Sequence, residues 1–192
     1  MLTNTYWENR YQEGSTGWDM GHPSPAITKY IDQLTDKNIK ILIPGCGRGY
    51  EAEYLYTSGF KNVYILDFAS SSLKDFSKRV PEFPKEQLIC EDYFTYQNTF
   101  DLIIEQTFFC ALHPEQRAAY ALHTKQLLRK NGKIAGLLFN KEFAKEGPPF
   151  GGTREEYTKL FSSLFTIKTL DECYNSIAPR SGNELFFIFE NS

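Results

Sequence analysis

Short, continuous apolar runs alternate along this chain with longer stretches of helical periodicity, and that alternation restricts the fold more than any other feature. LIP at 42–44, DLII at 101–104 and IAGLLF at 134–139 are apolar or nearly so at successive positions. A strand with one wet face would alternate, so these runs read as strands buried on both faces. Strands are predicted over 39–43, 63–66, 87–90, 101–105 and 133–139, with helices over 50–58, 70–79 and 114–130. The last helix opens on Pro114 and Glu115 and closes on LLRK, with Gly132 just beyond as its terminator. After the Pro/Gly-rich loop KEFAKEGPPFGG comes a helix over 154–163. Strands over 165–170 and 184–189 then return antiparallel, as a hairpin-like edge. The fold class is α/β. Residues 1–192 read as a single domain around a doubly wound, mostly parallel seven-stranded sheet, with an antiparallel C-terminal strand and a helical N-terminal arm over 1–30.

Charge and cysteine usage narrow the function classes. A net charge of −3 and a pI of about 5.7 give no basic footprint for nucleic acid. Neither a bilayer-spanning run nor a signal peptide is visible, so no membrane partner and a cytoplasmic location are expected. Cys46, Cys90, Cys110 and Cys173 lack the spacing of a zinc or redox motif. They read as reduced thiols, no metal is assigned, and a monomer is expected.

The first strand runs into PGCGRG, with glycines at 45, 47 and 49 before a helix. In open parallel sheets the ligand crevice lies beyond the carboxyl ends of the strands, and small residues there let backbone approach a ligand. Asp67 ends the second strand, where a carboxylate can accept from ribose hydroxyls or cap the following helix. The third ends in CEDYF, where Asp92 can accept from an adenine amino group and Tyr93 can stack on its ring. Together these strand ends point to an adenosine. The loop lacks the sixth-position glycine of a dinucleotide fingerprint and has no P-loop lysine. S-adenosylmethionine, which carries no phosphate, suits it better; an NAD-dependent oxidoreductase and a non-catalytic S-adenosylmethionine-binding protein are the alternatives. Glu105 and Gln106 end the fourth strand beside the expected methyl-donor position, or simply form a hydrogen-bonded strand terminus.

YWENRYQEGSTGWDMGHPSPAI, LIPGCGRGYEA, LDFASSSL, CEDYFTY, FDLIIEQTFFCALHPEQR, LLRKNGK, EGPPF and YNSIAPRSG together cover nearly the whole chain. In these segments the sequence resembles the thiopurine S-methyltransferase family of class I methyltransferases, and within it the thiol and halide methyltransferase branch. The resemblance implies a Rossmann-like fold, S-adenosyl-L-methionine as cofactor and a small-molecule substrate. It also implies an N-terminal arm folded over the cofactor, with Trp7, Trp18 and Tyr11 against it; Tyr11 stands where related members often carry a third tryptophan. Gly45, Gly47, Asp67, Asp92, Tyr93 and Gln106 are the other implied cofactor positions.

Methyl transfer from a sulfonium is an in-line displacement in which alignment and loss of water around the nucleophile dominate. A thiol, with pKa ~8.5, supplies some anion at neutral pH without a strong base or a metal. This chemistry is compatible with the substrate that the resemblance implies, a soft nucleophile: a thiol, sulfide, thiopurine or halide. Phe108, Phe109 and Cys110 are candidates for an apolar substrate wall; the resemblance adds Pro149 and Phe150 of a substrate-side loop, and implies Arg154 and Arg180 for attracting an anion. None of His22, His113 and His123 is assigned as a base.

Overall fold

Alternate side chains of the central strands enter two separate cores, which places the sheet in the middle of the molecule. A computed structural model describes residues 2–192. Its strands are β1 (Ile41–Pro44), β2 (Val63–Leu66), β3 (Leu88–Ile89), β4 (Phe100–Glu105), β5 (Leu128–Phe139), β6 (Thr166–Glu172) and β7 (Glu184–Glu190). Ile41 and Ile43 of β1 and Leu102 and Ile104 of β4 join one apolar cluster; Leu42 and Ile103 join the other. Helices α2 (Pro25–Ile31), α3 (Tyr50–Thr57) and α4 (Ser70–Arg79) contribute Ile27, Leu55 and Phe76 to the first. Helices α5 (Arg117–Leu127) and α6 (Arg154–Phe161) contribute Tyr120 and Phe161 to the second. The remaining α-helix, α1 (Asn4–Gln12), contributes no buried residue. Burial of each large apolar side chain stabilises by ~1.5–3 kcal/mol, so the helices are held by these faces rather than by propensity.

The sheet order is β3-β2-β1-β4-β5-β7-β6, with β7 antiparallel to both of its neighbours. The expected doubly wound, mostly parallel sheet is present, and β6 and β7 form the expected antiparallel hairpin-like edge, with the C-terminal strand β7 on its inner side. It inserts between β5 and β6, from Lys133↔Glu190 to Phe139↔Glu184 on one side. Its apolar run LFFIF explains this: Leu185, Phe187 and Phe189 are buried, whereas β6 is largely exposed and suits the rim.

The boundary between the fifth strand and the preceding helix also differs from expectation. Pro114–Gln116 is a 3-10 turn, α5 stops at Leu127, and Leu128 already belongs to β5, paired with Phe100. Gly132 does not terminate a helix. The left-handed residue is Asn131, at φ 63, and its N–H and the Gly132 carbonyl are both tied to Asn191. α6 begins where its cap predicts, with Thr153 and Glu156 each accepting from the other's backbone N–H.

Candidate active site

The carboxyl ends of β1, β2 and β4 open on one side into a cavity of about 1320 Å³. The parallel register fixes this, because Pro44 sits beside Leu66 and the β1–β4 pairing continues from Ile41↔Leu102. At the β1 exit Gly45, Gly47 and Gly49 all have positive φ, between 54 and 68°. A Cβ on Gly45 would lie 2.3 Å from the Phe108 ring, so glycine lets that ring sit on the loop.

Asp67 is 6% exposed and does two tasks. Oδ2 accepts from Gly47 N–H at 3.1 Å, and Oδ1 from Ala69 N–H at 2.9 Å, at the start of α4. Burial pushes its carboxyl up to about 6, against the opposing pull of these two N–H donors. Asp92 is exposed, accepts from Phe94 N–H at 2.9 Å, and lines the same cavity. Tyr93 lines it too, but is stacked on Tyr120 and hydrogen-bonded to Thr124 at 2.7 Å, with burial raising its phenol.

The arm covers the cavity through an aromatic cluster. Trp7 meets Trp18 edge-on at 5.3 Å, Tyr11 meets Trp18 at 5.8 Å, and Arg10 lies 5.2 Å from the Trp18 ring. Four ties hold it down, the first from the Asn4 side-chain amide to the Phe68 carbonyl. Glu8 accepts from the N–H and hydroxyl of Ser71 in the first turn of α4, bonds that lower its carboxyl pKa. Asp19 pairs with Arg48 at 2.7 Å, and Arg48 also reaches Asp75 at 3.1 Å. The Trp18 carbonyl accepts from Arg180 at 2.9 Å. The second half of the 1–30 segment is part of the body, since Ile27 and Ile31 of α2 are wholly buried.

Trp7, Tyr11, Trp18, Gly45, Asp67, Asp92, Tyr93, Phe108, Cys110, Pro149 and Arg180 thus converge on one cavity. Gly47 and Gln106 line a smaller pocket of about 50 Å³ beside it, which shares Trp18 and Thr107 with it. Both amide atoms of Gln106 are shielded from solvent and have no hydrogen-bond partner among the described residues. Burial pushes the Cys110 thiol up to about 12, so it faces the cavity neutral.

Three expected residues lie elsewhere. Phe109 points into the core against Tyr120, Tyr157 and Phe161. Phe150 packs on His113 outside the cavity, and Arg154 pairs with Asp171 at the surface. Conversely Arg10, Phe68, Thr107, Lys141 and Phe143 line the cavity without having been singled out from the sequence. Arg10 had a legible signal, standing three residues after Trp7 on one helix face. Phe143 had none, because loop residues lack periodicity.

The sequence profile described as Thiopurine S-methyltransferase matches residues 2–190. The chain belongs to the thiopurine S-methyltransferase family. That is a family of S-adenosylmethionine-dependent methyltransferases, and the dinucleotide alternative falls with the assignment. The chain is 31% identical over 184 residues to the "Probable thiol methyltransferase 2" of Arabidopsis thaliana, covering 93% of this chain and 81% of that one. It is 30% identical to a thiocyanate methyltransferase 1 of Brassica oleracea, with the same coverage. It is 22% identical to a thiopurine S-methyltransferase of Acinetobacter baylyi, covering 95% and 94%. Among solved structures it superposes on a 1,6-didemethyltoxoflavin-N1-methyltransferase of Burkholderia thailandensis with a TM-score of 0.78 at 16% identity, covering 98% and 87%. A TehB-like methyltransferase of Corynebacterium glutamicum gives 0.67 at 16% identity, covering 98% of each chain. These two likenesses establish the shared fold.

Proposed function

We propose that this protein moves the methyl group of S-adenosyl-L-methionine to the sulfur of a small organic thiol, within a wider class of soft nucleophiles that includes sulfide, thiopurine and halide. The observation that carries this reading is a single cavity lined both by the carboxylates of Asp67 and Asp92 and by an apolar wall. The cofactor supplies a methyl group on a positive sulfur that leaves as a neutral thioether. This chain's groups suit it. Asp67 is placed to accept from ribose hydroxyls, Asp92 from the adenine amino group, and Tyr93 edges the same region. Gly45 and Gly47 with the unpartnered Gln106 amide are suited to the methionyl end. Trp7, Tyr11 and Trp18 close over it and exclude water.

In the same cavity Phe108, Cys110, Leu112, Phe139, Phe143 and Pro149 make an apolar wall that strips water from a nucleophile. Arg180, whose side chain is 12% exposed and 3.5 Å from Glu184, adds a positive field that favours a thiolate. The cavity exceeds the ~300–1,000 Å³ usual for a single small ligand, which favours a cofactor plus an organic thiol over a bare halide. The thiol arrives partly ionised from solution, and the residues' task is alignment.

A monomeric, single-domain cytoplasmic enzyme is part of the proposal. The four free cysteines, three of them buried, suit a reducing compartment, and no helix among the described residues is long and apolar enough to cross a membrane. Labelled S-adenosylmethionine offered with thiophenol, thiopurine, hydrosulfide, thiocyanate and iodide tests the reading. Transfer fastest to the organic thiols supports it. Tight cofactor binding with no transfer would identify a non-catalytic binding protein instead.

A further inference from the structure

We propose that Glu105, anchored by Tyr120, is a positioning residue for methyl transfer that fixes the turn setting Phe108 into the cavity wall. The inference rests on the S-methylation reading above.

Glu105 ends β4, is 0% exposed and does not line the cavity, so it touches neither substrate nor cofactor. Its Oε1 accepts from the backbone N–H groups of Phe108 at 2.8 Å and Phe109 at 2.9 Å. Its Oε2 accepts from the Tyr120 hydroxyl at 2.7 Å. A carboxylate in so dry a place is retained only with such partners, and two of them belong to one turn. That turn contains Thr107 at φ 60, a left-handed conformation disfavoured for a β-branched residue. Clamped there, the two phenylalanines part company. Phe109 enters the core, while Phe108 lies over Gly45 and faces the cavity.

Tyr120 also braces the adjoining Tyr93, whose ring meets Phe108 edge-on at 5.2 Å. The Tyr120 ring lies 6.0 Å from Phe108 and is stacked at 5.4 Å on Tyr93. Thr124 donates to the Tyr120 carbonyl at 2.7 Å, so the Tyr93 hydroxyl donates to Thr124. Two adjoining cavity-lining rings, Phe108 from the end of β4 and Tyr93 from beyond β3, are therefore keyed to one turn of α5. In-line transfer is sensitive to displacements of about an ångström, so loosening this anchor should slow the chemical step more than it weakens binding.

The test compares wild type, Tyr120→Phe and Glu105→Gln, with thiophenol as acceptor. It measures kcat, KM and, by calorimetry, the S-adenosylhomocysteine dissociation constant. Tyr120→Phe should lower kcat about tenfold, with KM and the dissociation constant within about threefold of wild type. Glu105→Gln keeps an acceptor for the two N–H groups and can donate to the Tyr120 oxygen, so it should retain more activity than Tyr120→Phe. A kcat within about twofold of wild type for Tyr120→Phe overturns the proposal, as does a loss confined to KM or cofactor affinity. Should wild type itself transfer no methyl group to any thiol, the S-methylation reading fails. A crystal structure of Tyr120→Phe then decides the positioning role: Phe108 displaced from Gly45 supports it, and an unmoved ring overturns it.

Discussion

The Asp67 carboxylate accepts a hydrogen bond from the Gly47 backbone N–H at 3.1 Å, which joins the end of β2 to the glycine loop leaving β1. One side chain thereby shapes the loop and faces the cavity assigned to the cofactor. Asp67→Ala should weaken S-adenosylmethionine binding by ~1.5–3 kcal/mol, a loss of roughly 12- to 150-fold. Calorimetry reads this directly, and unchanged affinity would contradict the assignment of Asp67 to the ribose.

Gly45→Ala tests the loop from the other side. The new methyl group would meet Phe108 at 2.3 Å, in a backbone with φ 56. Either the ring or the loop must move, with an expected destabilisation of ~1–3 kcal/mol and an equal or larger loss of cofactor affinity. Thermal unfolding with and without cofactor separates the two effects. A variant as stable and as tight-binding as wild type would show that the Phe108 contact is dispensable.

Both tryptophans of the chain, Trp7 and Trp18, lie on the arm, so intrinsic fluorescence reports its closure. Glu8→Ala removes the acceptor at the first turn of α4, and Arg48→Met removes the Asp19 tie. Each should speed cofactor release about three- to tenfold in stopped-flow fluorescence while changing unfolding free energy by less than ~1 kcal/mol. Equal release rates would mean that these ties do not hold the arm.

The layered sheet was legible because continuous apolar runs and helical periodicity are local signals. The insertion of β7 was not, since strand order depends on which face covers which, and the sequence of β7 says only that it is buried. The α5–β5 junction misled for a physical reason: LLRKNGK carries basic residues and a glycine that suit a helix end. The tie from Asn191 instead holds Asn131 in the left-handed turn. Within the site, Asp67 and the PGCG loop were readable from strand ends. The separation of Phe108 from Phe109 was not, because it depends on the buried Glu105 clamp.

Burial raises both Asp67, to about 6, and Glu105, to about 7. The folded state then holds protons that the unfolded state releases above pH ~4, so stability of the cofactor-free protein should fall as pH rises from about 4 to 7. Each group contributes at most ~1.4 kcal/mol per pH unit. Glu105, whose neighbours include the Tyr120 phenol and the Cys110 thiol, contributes to the upper part of that window. Burial also raises the carboxyls of Glu51 and Glu184, which add to the fall. Glu105→Gln should flatten it in part, in denaturant titrations at successive pH values. An identical slope in the variant would remove Glu105 as a contributor.

The central claim is methyl transfer to sulfur, and the most direct measurement follows methyl-labelled S-adenosylmethionine with thiophenol and the purified full chain. The account predicts labelled methyl phenyl sulfide and S-adenosylhomocysteine in equal amounts. Tight binding of S-adenosylmethionine with no labelled product from thiophenol, thiopurine, hydrosulfide or iodide would contradict it.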